Sequence, residues 1–163
     1  MMRLLVIFSA LLILTGCPST IKPQYVYNAQ ASDPVLVFNS DFDLPSQFYV
    51  NIDQANNQGC TGFILAGYIL HKDSIFLFDK PNPEFQIQVP ADRMVSIKGI
   101  HSFNGGNSWS TCGPLFLSFM PEKGKRYLVD LKKVGDYCTL NISDRSDSPT
   151  GVKQLYRYKE CSR

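Results

Sequence analysis

The stretch YLVDLKKVGDYCTLNIS, residues 127–143, predicts two β-strands joined by a tight turn at Gly135-Asp136. This pair suits a primed hairpin turn, and the apolar residues on either side of it recur at every second position. Counting outward from the turn gives three opposed pairs, which are Lys133 with Cys138, Leu131 with Leu140, and Val129 with Ile142. The apolar side chains then share one face, and Asp130, Lys132, Thr139 and Asn141 share the other.

Further short strands are predicted before and after this hairpin, at residues 47–53, 62–70, 74–78, 85–89, 94–100, 115–120 and 152–158. A bulge is expected at Gly67, because a glycine inside a strand pattern often marks one. We expect 115–120 to lie beside the hairpin in a three-stranded meander. Short strands separated by proline-rich turns, without an amphipathic helix, are typical of an all-β fold. The sequence therefore predicts a small antiparallel β-sandwich or a partly open barrel.

The composition fits one globular domain. A chain of 163 residues is long enough for one ordinary core, and 44% hydrophobic residues can fill it. The formal net charge is only +2, and the lysines and arginines are interleaved with acidic residues. Because nucleic-acid binding needs a concentrated basic patch, we do not expect a nucleic-acid partner.

The N-terminus resembles that of a bacterial lipoprotein. A positive start at Arg3 precedes an apolar stretch at 4–14, which is too short to span a bilayer and is typical of a signal peptide. Leu14-Thr15-Gly16-Cys17 follows directly and resembles the lipobox of these proteins. The alternative is an ordinary secretory signal in which Cys17 is incidental.

The lipobox resemblance implies cleavage before Cys17 and transfer of a diacylglycerol to its thiol, often with acylation of the new amine. Several acyl chains give a stable membrane anchor, whereas a single chain binds reversibly. We therefore divide the chain into a signal peptide (1–16), a lipidated N-terminus and tether (17–34) and a single β-domain (35–163). Pro18 is not the aspartate associated with inner-membrane retention, so the outer membrane, facing the periplasm, is the expected location.

One segment of the domain also resembles small uncharacterised proteobacterial lipoproteins. The shared order is Cys, Phe-x-Pro, Gly-x-x-Tyr and Cys, carried here by Cys112, Phe119, Gly124, Tyr127 and Cys138. The resemblance covers less than a third of the chain. It implies placement in the envelope and a similar fold, and it implies no activity.

The mature domain keeps four cysteines, Cys60, Cys112, Cys138 and Cys161. An even number outside the cytosol predicts two disulfides, for which three connectivities exist. We favour Cys112 with Cys138, which would close the meander, and Cys60 with Cys161, which would fix the C-terminus. A metal site is not expected, because the four cysteines form no C-x-x-C pair and no histidine lies near them in the sequence.

The sequence offers little that points to catalysis. His71 and His101 are isolated, and we interpret both as solvent-facing or hydrogen-bonded residues at strand ends. No G-x-S-x-G motif of a serine hydrolase is present. Asp41 and Asp43 could be calcium ligands or a carboxylate pair, but their role as turn residues explains them more simply.

The most distinctive loop is predicted at residues 104–113, which contain two consecutive glycines and the only tryptophan, Trp109. Trp109 could act as the aromatic anchor of a binding loop, or it could pack under the core of a plain hairpin loop. We favour the second interpretation.

These features predict a non-enzymatic protein without a cofactor, held to the membrane through Cys17. Its β-domain would bind or support another envelope component, such as a protein, a glycan or a lipid. The main alternative is a periplasmic inhibitor or immunity-type protein with one tight partner. A third is an envelope hydrolase, which would need a cleft with His71 or His101 beside a serine or a carboxylate.

Overall fold

The computed structural model describes residues 23–43, 45–52, 62–71, 81–104, 109–146 and 154–156. Within these ranges the chain forms β-strands and no helix that could cross a membrane. The strands are β1 (Val35–Ser40), β2 (Ser46–Ile52), β3 (Ile64–Ile69), β4 (Phe85–Gln88), β5 (Val95–Asn104), β6 (Trp109–Phe119), β7 (Arg126–Val134), β8 (Tyr137–Asp144) and β9 (Gln154–Tyr156). The strand predicted at 74–78 falls outside the described residues.

The strands form two sheets, in the orders β4-β1-β7-β8 and β3-β2-β5-β6-β9. Every pairing is antiparallel except that of β1 with β7. Both sheets contribute side chains to one continuous core, including Phe38 and Leu131 from the first sheet and Phe48 and Leu117 from the second. The predicted all-β sandwich is confirmed, and the sheets do not close into a barrel.

The register predicted for the β7–β8 hairpin is confirmed. Leu131 pairs with Leu140 and Val129 with Ile142 across the turn. The side chain of Asp130 is an exception on the solvent face, because the residue is only 8% exposed. It receives a hydrogen bond from Asn39 on β1 and pairs with the ammonium of Lys132. An interior strand therefore buries a carboxylate on its outer face with both a donor and a cation beside it.

The predicted meander is wrong, because β6 belongs to the other sheet and β7 pairs in parallel with β1. Backbone hydrogen bonds at the start of both strands hold β7 beside β1. The amide of Gly124 donates to the carbonyl of Ser32, and the amide of Val35 donates to the carbonyl of Lys125. These bonds bring the start of β7 to the start of β1, which removes β7 from the neighbourhood of β6 along the sheet.

The predicted irregularity in β3 is present. Phe48 pairs with Gly67 and Tyr49 with Leu65, so Ala66 is the extra residue of a bulge next to Gly67. A Cβ atom at position 67 would lie 2.6 Å from the ring of Phe85. Gly67 therefore leaves room for this ring to stack on Phe38, with 4.6 Å between the ring centroids.

Part of the segment that was predicted to be a tether lies against the sandwich. The amides of Gln24 and Tyr25 donate to the carbonyl of Leu65, at 2.9 and 3.0 Å. The hydroxyl of Tyr25 donates to the carbonyl of Gln88 at 3.0 Å. Residues 24 and 25 are thus bound to the edge strand β3, because a polar composition does not prevent backbone hydrogen bonding to a sheet edge.

The strand directions give the sandwich two distinct ends. Odd-numbered strands start, and even-numbered strands finish, at the end that we call the base, which also carries residues 24–34, 89–94 and 120–125. The opposite end, which we call the tip, carries the β1–β2 connection, the end of β5, the start of β6 and the turn of the β7–β8 hairpin. The chain therefore enters the domain at the base.

Tyr25 makes the docking of the N-terminal segment sensitive to alkaline pH. Burial, and to a smaller extent the neighbouring Tyr27, raises the pKa of Tyr25 to about 12. A phenol whose pKa is raised by folding stabilises the fold fully below its unfolded pKa of about 10, and this contribution is lost as the pH rises through the folded pKa. The protein should therefore lose stability between about pH 10 and pH 12.

Urea unfolding of the full chain and of Tyr25→Phe, at neutral pH and near the upper end of this range, tests the prediction. The unmodified chain should lose more stability than Tyr25→Phe over this interval. Burial also raises the pKa of Tyr127. This residue is present in both proteins, so its contribution to the loss of stability cancels in the comparison. An identical loss in both proteins would contradict the role of Tyr25.

Candidate functional site

A cavity of about 250 Å³ opens at the tip of the sandwich. Three separate segments form it, the β1–β2 connection, the start of β6 and the β7–β8 hairpin. Its lining residues are Phe42, Ser110, Thr111, Lys133, Asp136 and Cys138. The wall thus combines an aromatic ring, two hydroxyls and a charge of each sign.

A disulfide between Cys112 on β6 and Cys138 on β8 fixes two of these segments to each other. The predicted pairing of these cysteines is confirmed, and their Cα atoms are 5.7 Å apart, as is usual for a disulfide. It joins the two sheets and does not close a meander, because β6 and β8 belong to different sheets. Closing a loop of this length stabilises a fold by about 3 kcal/mol. Cys60 and Cys161 lie outside the described residues, so their pairing stays a prediction.

His101 lies beneath the cavity and is only 2% exposed. Of the prediction of a solvent-facing or hydrogen-bonded residue at a strand end, the hydrogen bonding is confirmed, but the position is wrong, because β5 continues to Asn104 and His101 is buried inside the strand. The imidazole stacks on Phe42, with 4.1 Å between the ring centroids. Its Nδ1 lies 3.1 Å from the carbonyl oxygen of Pro45, and its Nε2 lies 3.2 Å from the hydroxyl of Ser110.

The His101–Ser110 contact has the distance of a nucleophile and base pair, which is the arrangement that a hydrolase would need. Two features favour a packing role. Nδ1 lies against the backbone carbonyl of Pro45, whereas the corresponding nitrogen in serine hydrolases faces a carboxylate that stabilises the imidazolium. The ring is also covered by Phe42, which limits the approach of a substrate. We therefore interpret the contact as a support for the cavity wall.

Asp41 acts as a turn residue, as the simpler interpretation of the sequence proposed. Both of its carboxylate oxygens lie 3.2 Å from the amide of Lys133, which donates to them, and its own amide donates to the carbonyl of Leu131. Asp43 is exposed. No group of three or more side chains that could ligate a metal occurs among the described residues.

His71 directly follows Leu70 at the end of β3, and its Nε2 lies 2.5 Å from the carbonyl oxygen of Ser40. The prediction of a hydrogen-bonded residue at a strand end is confirmed for this histidine. The bond links the end of β3 in one sheet to the end of β1 in the other. Like His101, His71 holds segments of the tip together.

Trp109 is the first residue of β6 and pairs with Asn104 at the end of β5. The loop predicted over 104–113 is therefore shorter than expected, because 109–113 continue the strand and only 105–108, which lie outside the described residues, connect the two strands. This pairing sets the backbone of Trp109 at the tip. The tip thus holds both the backbone of Trp109 and the cavity.

Two large apolar side chains are exposed at the turn of the β7–β8 hairpin, on the face opposite to that of Lys133 and Cys138, which line the cavity. Val134 is 57% exposed and Tyr137 is 79% exposed. They form the last pair of the hairpin before Gly135-Asp136. The predicted register assigns both to the polar face, where an apolar pair is unexpected, and neither was predicted as a site residue. Exposed aromatic residues with a polar tip are common at the centres of protein interfaces.

Neither protein-family models nor curated proteins match this sequence. The function must therefore be argued from the geometry of the tip. A small cavity with mixed polarity, in a wall that a disulfide holds together, can receive one side chain or one small group of a partner.

Proposed function

We propose that this protein is a bacterial envelope lipoprotein, anchored through lipid on Cys17, whose tip binds another envelope component without catalysis. The observation that carries the proposal is the position of the chain entry at the base, opposite the candidate site. Only seven residue steps separate Cys17 from Gln24, the first of the described residues with a hydrogen bond to the domain. Such a segment reaches at most about 25 Å. An anchor at Cys17 therefore stays close to the base and leaves the tip facing away from the membrane.

The proposed location is the periplasmic face of the outer membrane. The lipobox and Pro18 favour it, and the Cys112–Cys138 disulfide fits an oxidising compartment. The partner would be a protein or a glycan, since both can present a side group to a cavity of this size. Lys133 and Asp136 would form the polar part of the contact, and Tyr137 and Val134, exposed on the outer face of the same hairpin, would add an apolar part.

An inhibitor or immunity-type protein is a second candidate function. The shape of the β7–β8 hairpin favours it, because the turn carries exposed Tyr137 and is held rigidly by the adjacent disulfide. A rigid projecting loop loses little entropy on binding, which is a requirement for one tight partner. The two functions differ in the stoichiometry and the affinity of the complex.

Lipid attachment is tested with the full-length chain in a bacterial host. After labelling with a radioactive or clickable fatty acid, the unmodified protein should carry label and sediment with membranes. Cys17→Ser should carry no label, because the acyl acceptor is lost. Absence of label from the unmodified protein, or equal labelling of Cys17→Ser, would contradict the anchor.

The binding site is tested by photo-crosslinking in the same cells. A photoreactive amino acid at position 137, at the tip, should give a discrete adduct, whereas the same group at position 123, at the base, should not. Lys123 is a suitable control because it is also exposed and lies in a turn. Adducts from position 123 alone would contradict a partner at the tip. A single stoichiometric protein adduct would select the inhibitor or immunity-type function.

A further inference from the structure

The outer face of the four-stranded sheet contains a second concave site, a groove of about 520 Å³. Val37 of β1 and Leu128 of β7 form its floor, and Val37 is only 6% exposed although it points away from the core. Arg126 and Arg145 line the groove towards the base, and Glu84 lines it on the β4 side. A volume of this size lies within the range of small-molecule sites.

The two arginines are a like-charged pair directly across the β7–β8 ladder. Tyr127 pairs with Asp144, so Arg126 and Arg145 are the next opposed residues, and the amide of Arg145 donates to the carbonyl of Arg126 at 2.7 Å. Like charges in opposed positions destabilise a sheet. A cost of this kind without a local gain is typical of functional sites.

Neither guanidinium is neutralised within the part of the chain that the structure describes. Arg126 donates to the side-chain oxygen of Gln86, an uncharged acceptor, at 3.0 Å. The nearby carboxylate of Asp144 pairs with Lys125 instead, at 3.3 Å. Glu84 lines the groove but makes no ion pair with either arginine. Two fork-shaped donor groups therefore face the groove without an anionic partner.

We propose that this groove binds a small soluble ligand with one oxyanion group, a carboxylate or a phosphate, held between Arg126 and Arg145. Guanidinium groups bind both oxyanions through paired hydrogen bonds. The uncharged body of the ligand would lie over Val37 and Leu128. Glu84 disfavours a second anionic group on its side, so the ligand has a single anionic end. The site lies on a different face from the tip cavity, and it does not depend on lipid attachment.

The test uses the full-length chain with Cys17→Ser, which cannot accept the predicted lipid, and two probes, inorganic phosphate and glucuronic acid. Calorimetry should detect saturable binding of at least one probe in the millimolar range. Arg126→Gln and Arg145→Gln should each weaken it by about tenfold or more, because a charge-assisted bond is lost. Lys123→Gln removes the same charge from an exposed turn and should bind like the parent chain.

Thermal unfolding without added anion gives an independent readout. Arg145→Gln should melt at the same temperature as the parent or higher, since the repulsion is removed, and probes should no longer raise its melting temperature. Absence of binding by both probes would overturn the proposal. So would an equal loss of binding in Lys123→Gln, or flotation with phosphatidylglycerol vesicles without binding of the free probes, which would identify a lipid surface as the ligand.

Discussion

Leu131→Asp should unfold the protein under conditions in which Ser143→Asp remains folded. Leu131 is completely buried on β7, where its side chain faces Gly99 of the opposite sheet. The substitution removes the packing of a leucine and buries a carboxylate without a partner, which together cost about 4 kcal/mol or more. This is a large part of the stability of an ordinary domain, about 5 to 15 kcal/mol.

Ser143 provides the matched control, because it receives the same new carboxylate on the exposed face of β8. Its effect should stay within about 0.5 kcal/mol. Lys132, the neighbour of Leu131, is not a neutral control, since its ammonium pairs with the buried carboxylate of Asp130. Urea midpoints of the full chain carrying either change provide the measurement. Similar midpoints for Leu131→Asp and Ser143→Asp would show that the core face has been assigned incorrectly.

Gly113→Ala is expected to destabilise the protein by about 3 kcal/mol or more. Gly113 has a φ of +96°, a conformation that a residue with a side chain rarely adopts. It lies where the pairing of β5 with β6 shifts, between Gly99 and His101. A Cβ atom there would be 2.6 Å from the carbonyl oxygen of Gly99 and 2.9 Å from the amide nitrogen of Leu115. Both are backbone atoms of paired strands, which cannot move without disturbing the ladder.

Gly135→Ala separates the steric effect from the conformational one. Gly135 also has a positive φ, +60°, but no atom lies within 4 Å of the position that a Cβ would take. Its substitution should cost only the conformational part, about 1 to 2 kcal/mol. Thermal or urea unfolding of both variants gives the comparison. Equal costs would mean that the Gly113 backbone does not approach Gly99 as closely as described.

The hairpin was predictable because all of its signals are local. The alternation of apolar residues and the turn at Gly135-Asp136 together fix which residues are opposed, and the structure agrees pair by pair. The sheet that receives β6 was not predictable in this way. It depends on the pairing of β1 with β7, which joins residues as far apart as Asn39 and Asp130, 91 positions along the chain.

In the candidate site, too, features set by local sequence were easier to predict than features that depend on distant segments. The sequence left three cysteine connectivities open, and the Cys112–Cys138 pairing that we favoured is present although the meander it was expected to close is not. The exposed pair Val134 and Tyr137 was not predicted, although the hairpin register already assigned both residues to the polar face. The burial of His101 was missed because the glycines at 105 and 106 suggested a loop, although Ile97, Gly99 and His101 continue one inward face. The tip cavity itself unites segments that no local pattern connects.

The parallel pairing of β1 with β7 also determines when the protein can fold. Synthesis proceeds from the N-terminus, so β1 emerges early, but one of its two neighbours in the sheet arrives only near the end of the chain. Until then the apolar residues Leu36 and Phe38 have no complete sheet to pack in. Pairing between strands that are far apart in the sequence slows folding, so apolar strands that can aggregate stay exposed for longer. A ribosome must therefore release almost the whole domain before the sandwich can close, and a chaperone has that entire interval in which to hold the chain.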